Sequence, residues 1–170
     1  MGALRLQKNY FFLLEAFKKL KHDNIELDIY GEGDLDKSLQ AIISENNIKV
    51  NLKGEVKNIS QVMNQYDMFV MSSTFEGFSL SVLEAMAMQM PLLLSDIKSF
   101  REQCKETAVY FDLNDVNDFI SKLKSLSANK NKLAEMGKQA KERVIKNFML
   151  NTHMQGLRTI YDDAVNERRA

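Results

Sequence analysis

The sequence predicts an α/β fold in which helices cover both faces of a parallel β-sheet. Short apolar or alternating segments, each bounded by glycine or polar residues, recur up to Phe111 and predict strands. Longer segments with apolar residues at helical spacing lie between them. This alternation favours parallel strands joined by right-handed crossovers, which bring the strand-to-helix loops to one edge of the sheet.

The elements are predicted in chain order as follows. The strands are residues 25–30, 50–53, 67–71, 92–95 and 108–111, and residues 2–6 resemble the tail of one more strand. The first helices are residues 10–21 (with Asn9 as N-cap), 34–46, 59–66 and a helix from Ser79 or Leu80 to Gln89. Three helices follow Phe111, at residues 116–126, 130–147 and 152–166, and the middle one is expected to pack on the sheet. Residues 1–170 are expected to form a single domain.

Composition excludes several classes of function. The 23 basic residues balance the 23 acidic ones, so net charge indicates no nucleic-acid partner. Cys104 is the only cysteine, which excludes an internal disulfide and fits a reducing compartment. With only His22 and His153 beside it, no zinc-type metal site is predicted. No apolar run approaches the roughly 18 residues of a membrane span. We therefore expect a cytoplasmic protein that holds no metal.

Two glycine-bearing loops resemble familiar motifs but depart from them. Gly31-Glu32-Gly33 follows a predicted strand without the third glycine of a dinucleotide-binding loop. Residues 77–81 resemble a nucleophile elbow, but Ser81 replaces its final glycine and no histidine lies nearby in the sequence. Neither NAD binding nor serine hydrolysis is expected.

The most informative stretch is residues 76–87, with the sequence E-G-F-S-L-S-V-L-E-A-M-A. It follows a predicted strand and comprises the end of a loop and the first part of a helix. A helix N-terminus that follows a strand and a tight loop in this way often binds an anion. Gly77 allows the backbone to approach a ligand closely. Glu84 has Leu80 and Ala87 as helical neighbours. It is therefore either the polar edge of a packing helix or a group that holds a polar ligand.

Together with residues 69–72 and 91–95, this stretch resembles the donor-side motif of retaining GT-B glycosyltransferases of the group 1 type. The resemblance extends over most of the chain. It implies a Rossmann-like domain that forms the donor-binding, C-terminal half of such an enzyme, without its N-terminal acceptor domain. The implied reaction is the retaining transfer of a hexosyl group from a nucleotide sugar to a saccharide or lipid-linked acceptor, with no cofactor. The implied location is cytoplasmic, or peripheral at the inner membrane through the absent domain. The isolated chain is expected to be inactive.

The resemblance also implies roles for individual residues. Lys8 would hold the diphosphate and Glu76 would lie against the donor sugar, which makes these two the expected catalytic residues. Glu84 would bind the ribose hydroxyls. The other expected donor-binding residues lie in loops: Gly77, Phe78 and Ser79 through their backbone amides, Gly31 and Gly33, and Lys53 and Gly54 near the nucleobase.

The chain departs from the family pattern in places. Ala3 stands where the family often has an arginine, and whether Arg5, two residues later, replaces it is open. Gln89 replaces a family glycine. Two other functions remain: a nucleotide-binding module without chemistry, and a GT-B-fold epimerase. The apolar stripe of the last predicted helix is expected to be partly exposed toward a partner domain or a second copy; it comprises Met154, Leu157, Ile160, Tyr161 and Ala164.

Overall fold

The computed structural model describes residues 2–20 and 23–150, together with residues 152, 154, 158, 159 and 161. Strands and helices alternate as predicted. The strands are β1 Leu27–Ile29, β2 Val50–Leu52, β3 Phe69–Met71, β4 Leu92–Ser95 and β5 Val109–Phe111. The helices are α1 Tyr10–Lys19, α2 Asp36–Asn46, α3 Ile59–Met63, α4 Leu80–Ala87, α5 Lys98–Cys104, α6 Val116–Ser127 and α7 Lys130–Asn147.

All strand pairs are parallel, but the strands form two groups rather than the one sheet that was predicted. β1 pairs with β2, with Leu27 opposite Val50. β4 lies between β3 and β5, with Leu93 opposite Val70 and Val109. In the described part of the chain no strand joins β1 to β3. The predicted α/β fold class, with parallel strands, is confirmed.

Helices cover both faces of the strands, as predicted. Along β4, Leu93 packs into a core shared with α1, α2 and α6. Its neighbours Leu92 and Leu94 pack into a second core, shared with α4, α5 and α7. All three leucines are fully buried. A strand buried on both faces explains why its sequence is a continuous apolar run instead of an alternating one.

Several predicted elements differ in detail. Residues 2–5 are not a strand, and Leu6–Lys8 is a short 3-10 helix. Asn9 precedes α1 in the left-handed region, at φ 51°, and its side chain makes no capping hydrogen bond. Asn tolerates this conformation better than most residues, so the position suits asparagine for a backbone reason. The other predicted strands and helices up to Asn147 end within a few residues of the observed ones, and the ends of the helix predicted at residues 152–166 lie outside the described residues.

The second half of the chain contains a helix that the sequence analysis missed. Helix α5 follows β4 directly, where no helix was predicted. Helix α7 contacts α4 and α6, and its Ala140 and Val144 share the second core with Leu92 and Leu94 of β4. Met154 and Tyr161 of the predicted apolar stripe are exposed. Its other members, Leu157, Ile160 and Ala164, lie outside the described residues. Among the described residues, no helix combines the length and the apolar character needed to cross a membrane.

Packing of α7 on the end of α4 requires the glycine at position 137. A Cβ atom added to Gly137 would lie 1.9 Å from the carbonyl oxygen of Gln89. We expect Gly137→Ala to lower the free energy of unfolding by about 1–3 kcal/mol, the usual cost of overpacking. Alanine's helix propensity, worth up to about 1 kcal/mol, only partly offsets that cost. Denaturant unfolding measures the change.

Gly77→Ala is the matched control, because a Cβ added there meets no atom within 4 Å. It should leave the free energy of unfolding nearly unchanged. A Gly137→Ala variant as stable as the parent would contradict the close contact between α7 and residue 89.

Candidate functional site

Residues 2–9, here called the N-terminal segment, lie beside the C-terminal end of β1. The Gly2 amide donates to the Tyr30 carbonyl at 3.0 Å, and the Leu4 amide donates to the Glu32 carbonyl at 2.9 Å. Both donors and both acceptors advance by two residues in the same direction. This is the hydrogen-bond pattern of a parallel strand pair, extended beyond β1.

The same segment also contacts the loop that follows β3. The Thr74 amide donates to the Gln7 carbonyl at 2.9 Å. The Ser72 hydroxyl donates to the carbonyls of Lys8 (2.9 Å) and Asn9 (3.1 Å). The Gln7 side chain donates to the Phe75 carbonyl at 2.6 Å. The N-terminal segment therefore joins the loop after β1 to the loop after β3.

Gly31 and Gly33 are glycines because the N-terminal segment passes against them. A Cβ atom added to Gly31 would lie 2.0 Å from the Gly2 carbonyl oxygen, and one added to Gly33 would lie 2.7 Å from that of Leu4. Gly31 also has a φ of 135°, which side-chain-bearing residues rarely adopt. Packing thus accounts for both glycines, and their contact with a donor stays a prediction.

The two expected catalytic residues lie together. The Lys8 ammonium is 2.6 Å from Oε1 of Glu76, with only 17% and 11% of the two side chains exposed. The buried Ser73 hydroxyl donates to the same carboxylate oxygen at 2.8 Å, and Ser95 donates to the Ser73 carbonyl. Burial, with the nearby charge of Glu76, raises the pKa of Tyr10 to about 12. The pair is thus fixed by a polar network at the mouth of the loop that precedes α4.

The N-terminal end of α4 has open backbone donors. Ser79 caps the helix by accepting from the Val82 amide, and its carbonyl accepts from Leu83. The amides of Leu80 and Ser81 donate to no acceptor among the described residues, and the same holds for Gly77 and Phe78. No atom lies within 4 Å of a Cβ added to Gly77. The space in front of this loop is therefore open.

The backbone amide of Ser79 was expected to bind the donor, but in the structure it binds a protein side chain. Its N–H donates to Oε1 of Gln103 at 3.1 Å, and its carbonyl accepts from Nε2 of Gln103 at 2.9 Å. Gln103 is itself buried, and Arg143 donates to its backbone carbonyl at 2.7 Å. Ser79 thus fixes the start of α4, while the adjacent amides of Leu80 and Ser81 stay open. A role for Ser79 in donor binding stays a prediction.

Sequence reasoning did not find Gln103, Ser73, or the open amides of Leu80 and Ser81. Gln103 lies 24 residues beyond Ser79, and a lone glutamine carries no motif that would indicate this pairing. The sequence could have indicated the open amides of Leu80 and Ser81, because a helix that begins at Ser79 or Leu80 has free backbone donors in its first turn.

Glu84 lies on the solvent side of α4. The buried face of the helix is formed by Val82, Ala85 and Met86, whereas Glu84 is exposed together with Leu80 and Ala87. No hydrogen bond or ion pair of the Glu84 carboxylate is found with a described residue. Its apolar neighbours are thus themselves uncovered, and Glu84 lies on an open face rather than beside the core.

Phe78 extends this open region on the other side of the α4 terminus. Half of its surface is exposed, at 51%. Its ring packs edge-to-face on Phe148, with 5.5 Å between the ring centroids. Phe148 in turn lies under the guanidinium of Arg143. The structure therefore places the Phe78 side chain at the edge of the site, held by the end of α7.

The loops after β1 and β2 form a separate part of the site. The Gly31 amide donates to the Gly54 carbonyl at 2.8 Å, and a cavity of about 310 Å³ lies beside them. Gly2, Tyr30, Glu55, Val56 and Ile59 line this cavity with Gly31. The hydrogen bond between Gly31 and Gly54 thus joins the loop after β1 to the loop after β2.

Lys53 and Arg5 do not point to this cavity. The Lys53 ammonium lies 3.3 Å from the Asp28 carboxylate, which also accepts from Tyr66 and Asn51. Burial works against the ionised carboxylate, but these donors outweigh it and hold the pKa of Asp28 below its usual value. Arg5 is exposed, and no described residue pairs with its guanidinium. The expected contact of Lys53 with the donor stays a prediction.

A family profile described as glycosyl transferases group 1 matches residues 1–143. The chain belongs to this family. The trehalose synthase of Thermococcus litoralis is 31% identical over 166 residues, which is 87% of this chain and 39% of that protein. The UDP-Gal:alpha-D-GlcNAc-diphosphoundecaprenol alpha-1,3-galactosyltransferase of Escherichia coli is 28% identical over 174 aligned residues, 97% of this chain and 45% of that enzyme. The chain thus spans less than half the length of these two relatives.

A solved structure of this kind gives the same fold. TarM from S. aureus, a variant in complex with Fondaparinux, alpha-GlcNAc-glycerol and UDP, matches with a TM-score of 0.86 at 24% identity. The match covers 94% of this chain and 35% of TarM. It confirms the predicted Rossmann-like fold.

The pairing of Gln103 with Ser79 can be tested with a variant of similar volume. Gln103→Met removes both hydrogen bonds and leaves the buried amide of Ser79 unpaired. We expect the free energy of unfolding to fall by about 1–3 kcal/mol, and the Ser79 amide to exchange faster with solvent. Denaturant unfolding and residue-resolved hydrogen exchange measure the two effects.

Glu102→Met is the matched control. Its side chain is 68% exposed, and its one ion pair with a described residue, Lys98, spans 3.8 Å. This exposed change should stay within about 0.5 kcal/mol. Equal effects of the two substitutions would contradict a specific role of Gln103 in fixing the start of α4.

Proposed function

We propose that this chain is the donor-binding half of a retaining glycosyltransferase. It binds a nucleotide sugar, and the whole enzyme transfers the hexosyl group to a saccharide or a lipid-linked acceptor. The observation that carries the proposal is the largely buried ion pair of Lys8 and Glu76 beside the open loop at Gly77. Membership of the group 1 glycosyl transferases supports transferase chemistry in general.

Lys8 is the cation that we assign to the diphosphate. In the free protein Glu76 neutralises it at 2.6 Å. A bound diphosphate offers the same ammonium a stronger anion, while the unpaired amides of Leu80 and Ser81 add donors at the positive end of α4. A helix N-terminus with open amides is a common phosphate-binding arrangement. Together these groups favour an anion in the space before Gly77.

Glu76 is assigned to the sugar. It lies in the loop, one residue before the open Gly77, and a diphosphate that takes over Lys8 leaves its carboxylate free to accept hydrogen bonds from sugar hydroxyls. Ser73 donates to Glu76 independently of Lys8, at 2.8 Å. The carboxylate therefore keeps one protein partner, and its orientation, when the ammonium changes partner.

The nucleoside would occupy the part of the site between the other loops. We assign the nucleobase to the cavity of about 310 Å³ lined by Gly31, Glu55 and Val56. Glu84, exposed on α4 and without a protein partner among the described residues, is assigned to the ribose hydroxyls. A ribose diol offers two donors, which suit a single carboxylate.

Transfer breaks the bond between the sugar and the diphosphate, and negative charge then develops on the leaving group. Fixed donors aimed at this charge stabilise the transition state more than the ground state, because they need no reorganisation. Lys8 and the amides of α4 are those donors in our proposal, and we assign no metal ion and no cofactor to the step. The anomeric configuration is retained.

The acceptor would bind to a second, N-terminal domain of the full-length enzyme. Both relatives named above are more than twice as long as the part that this chain matches. The E. coli relative is named for a diphosphoundecaprenol-linked acceptor, which supports the lipid-linked class of acceptor. Holding two substrates together supplies roughly 7–11 kcal/mol of the barrier. The isolated chain should therefore bind the donor without transferring its sugar at an enzyme-like rate.

The different roles of the two glutamates give the direct test. Hydrogen bonds to a charged group contribute about 1.5–3 kcal/mol each. Glu84→Ala should therefore weaken binding of the bare nucleoside diphosphate at least roughly tenfold, or about 1.4 kcal/mol. Glu76→Ala should leave that affinity nearly unchanged and reduce affinity for the matching nucleotide sugar. Calorimetric titration with UDP, GDP and ADP, and with their sugars, measures both.

Glu142→Ala, an exposed glutamate on α7, is the control and should bind like the parent. If Glu84→Ala also binds the diphosphate like the parent, Glu84 is only the polar edge of a packing helix. The assignment of the ribose to α4 would then be wrong.

A further inference from the structure

The C-terminal end of α7 is connected to the donor site by two separate contacts. We call residues 76–81 the donor segment, because they contain Glu76 and the open amides that the proposed function assigns to the diphosphate. Both contacts with the donor segment begin at one side chain, that of Arg143, which is half-buried. Arg143 is not among the residues that we assign to the donor.

The first contact runs through Gln103. Nε of Arg143 donates to the carbonyl of Gln103 at 2.7 Å, and Nη2 donates to the carbonyl of Glu102 at 3.0 Å. These carbonyls belong to the last turn of α5, where helix carbonyls lack intrahelical partners. The side chain of the same Gln103 binds the N–H and the carbonyl of Ser79. A single residue therefore separates the guanidinium from the N-cap of α4.

The second contact runs through two aromatic rings. The guanidinium carbon of Arg143 lies 5.5 Å from the centroid of the Phe148 ring. That ring packs edge-to-face on Phe78, with the same distance between the two centroids. Phe78 is half exposed, so the ring contact restricts where its side chain can lie.

The two contacts end on consecutive residues, Phe78 and Ser79. These residues lie between Gly77 and the open amides at the start of α4. Gly77 gives the backbone ahead of them wide conformational freedom, because it has no Cβ and no atom within 4 Å would meet one. The direction of the open amides therefore depends on what holds Phe78 and Ser79, and both contacts described above begin at Arg143.

Arginine suits this position for a geometric reason. Its planar guanidinium donates to two carbonyls and at the same time lies over the Phe148 ring. A lysine ammonium is a point charge without this planar fork, so it cannot make all three contacts at once. Arg143→Lys therefore keeps the charge and loses the geometry, which separates two ways in which the residue could act.

We propose that Arg143 is a positioning residue for the donor segment. Through Gln103 and Phe148 it fixes Phe78 and Ser79, and it thereby directs the open amides of α4 at the diphosphate without touching the donor itself. That these amides meet a diphosphate rests on the proposed function. The contacts that fix Phe78 and Ser79 are present in the free chain and can be tested without a ligand.

The test compares the parent with Arg143→Met, Arg143→Lys and Arg101→Met. Arg101→Met is the matched control, because Arg101 also makes two hydrogen bonds, to Asp96, and also lies over an aromatic ring, that of Tyr110. Residue-resolved hydrogen exchange is measured on the free chains. Calorimetric titration with UDP, GDP and ADP then gives the affinity of each variant.

We expect Arg143→Met to speed exchange of the Ser79 amide at least roughly tenfold more than that of Met88, because the opening is local. The Met88 amide donates to the Glu84 carbonyl at the other end of α4 and reports a general loss of stability. Arg143→Met should also weaken binding of the matching nucleotide roughly three- to thirtyfold, the range of indirect couplings. Arg143→Lys should give smaller changes in the same direction, and Arg101→Met should give neither.

Several results would overturn the proposal. One is exchange of Ser79 that follows that of Met88 in Arg143→Met, and another is an equal effect of Arg101→Met, since either would indicate a general loss of stability. Parent-like nucleotide affinity in Arg143→Met would remove the link to the donor, and a parent-like Arg143→Lys would leave only the charge. If Arg143→Met does not fold, Arg143→Lys is compared with the control in the same way.

Failure of the proposed function gives a different result. The parent chain would then bind none of the three nucleotides, and exchange of the Ser79 amide relative to Met88 would alone decide whether Arg143 positions the donor segment.

Discussion

The backbone hydrogen bonds of the N-terminal segment hold the two strand groups and their loops in one arrangement. Gly2 and Leu4 bond the end of β1, and Gln7 accepts from Thr74 beyond β3. Each such bond contributes only about 0.5–1.5 kcal/mol net. Their larger effect is geometric, since without them the Lys8 side chain would have no fixed position relative to the loop that carries Glu76. Gly31 and Gly33 are consequences of the same close approach.

The electrostatics of the site follow from this geometry. Lys8 and Glu76 are mostly buried, and burying either charge alone would cost several kcal/mol. In the free protein each side chain compensates the other, and Ser73 satisfies the carboxylate further. In the proposed complex a diphosphate replaces Glu76 as the anion at Lys8, and the Glu76 carboxylate keeps the Ser73 hydroxyl and gains the sugar hydroxyls of the donor as partners. In the proposed donor site, Glu76 is thus the counter-ion of Lys8 when no diphosphate is bound.

Local signals in the sequence were sufficient for much of the fold and for part of the site. The apolar runs predicted each strand, and the stretch from Glu76 to Ala87 predicted the loop, the start of α4 and the loop position of Glu76. Ser79 is the N-cap that this pattern requires. The ion pair of Lys8 with Glu76 joins positions 68 residues apart and was not predicted. The family resemblance implied only that both residues contact the donor.

Other features depend on contacts that have no local signature. Gln103 hydrogen-bonds to the backbone of Ser79, a contact that only the folded chain creates. Lys53 pairs with Asp28 and does not line the cavity beside Gly31. The break between β1 and β3 was not predicted, because strand patterns indicate which segments are extended but not which of them pair. Asn9 illustrates the same limit, since it occupies the predicted N-cap position of α1 but with a left-handed backbone and without a capping hydrogen bond from its side chain.

The central claim is that the N-terminal segment unites two groups of loops into one nucleotide site. Nuclear magnetic resonance titration of the chain with UDP, GDP and ADP tests it most directly. With the correct nucleotide, the amide resonances of Gly31 and Val56 should shift together with those of Gly77, Leu80 and Ser81, and all should fit one dissociation constant. Shifts confined to one of the two groups, or no shifts with any of the three nucleotides, would contradict the account.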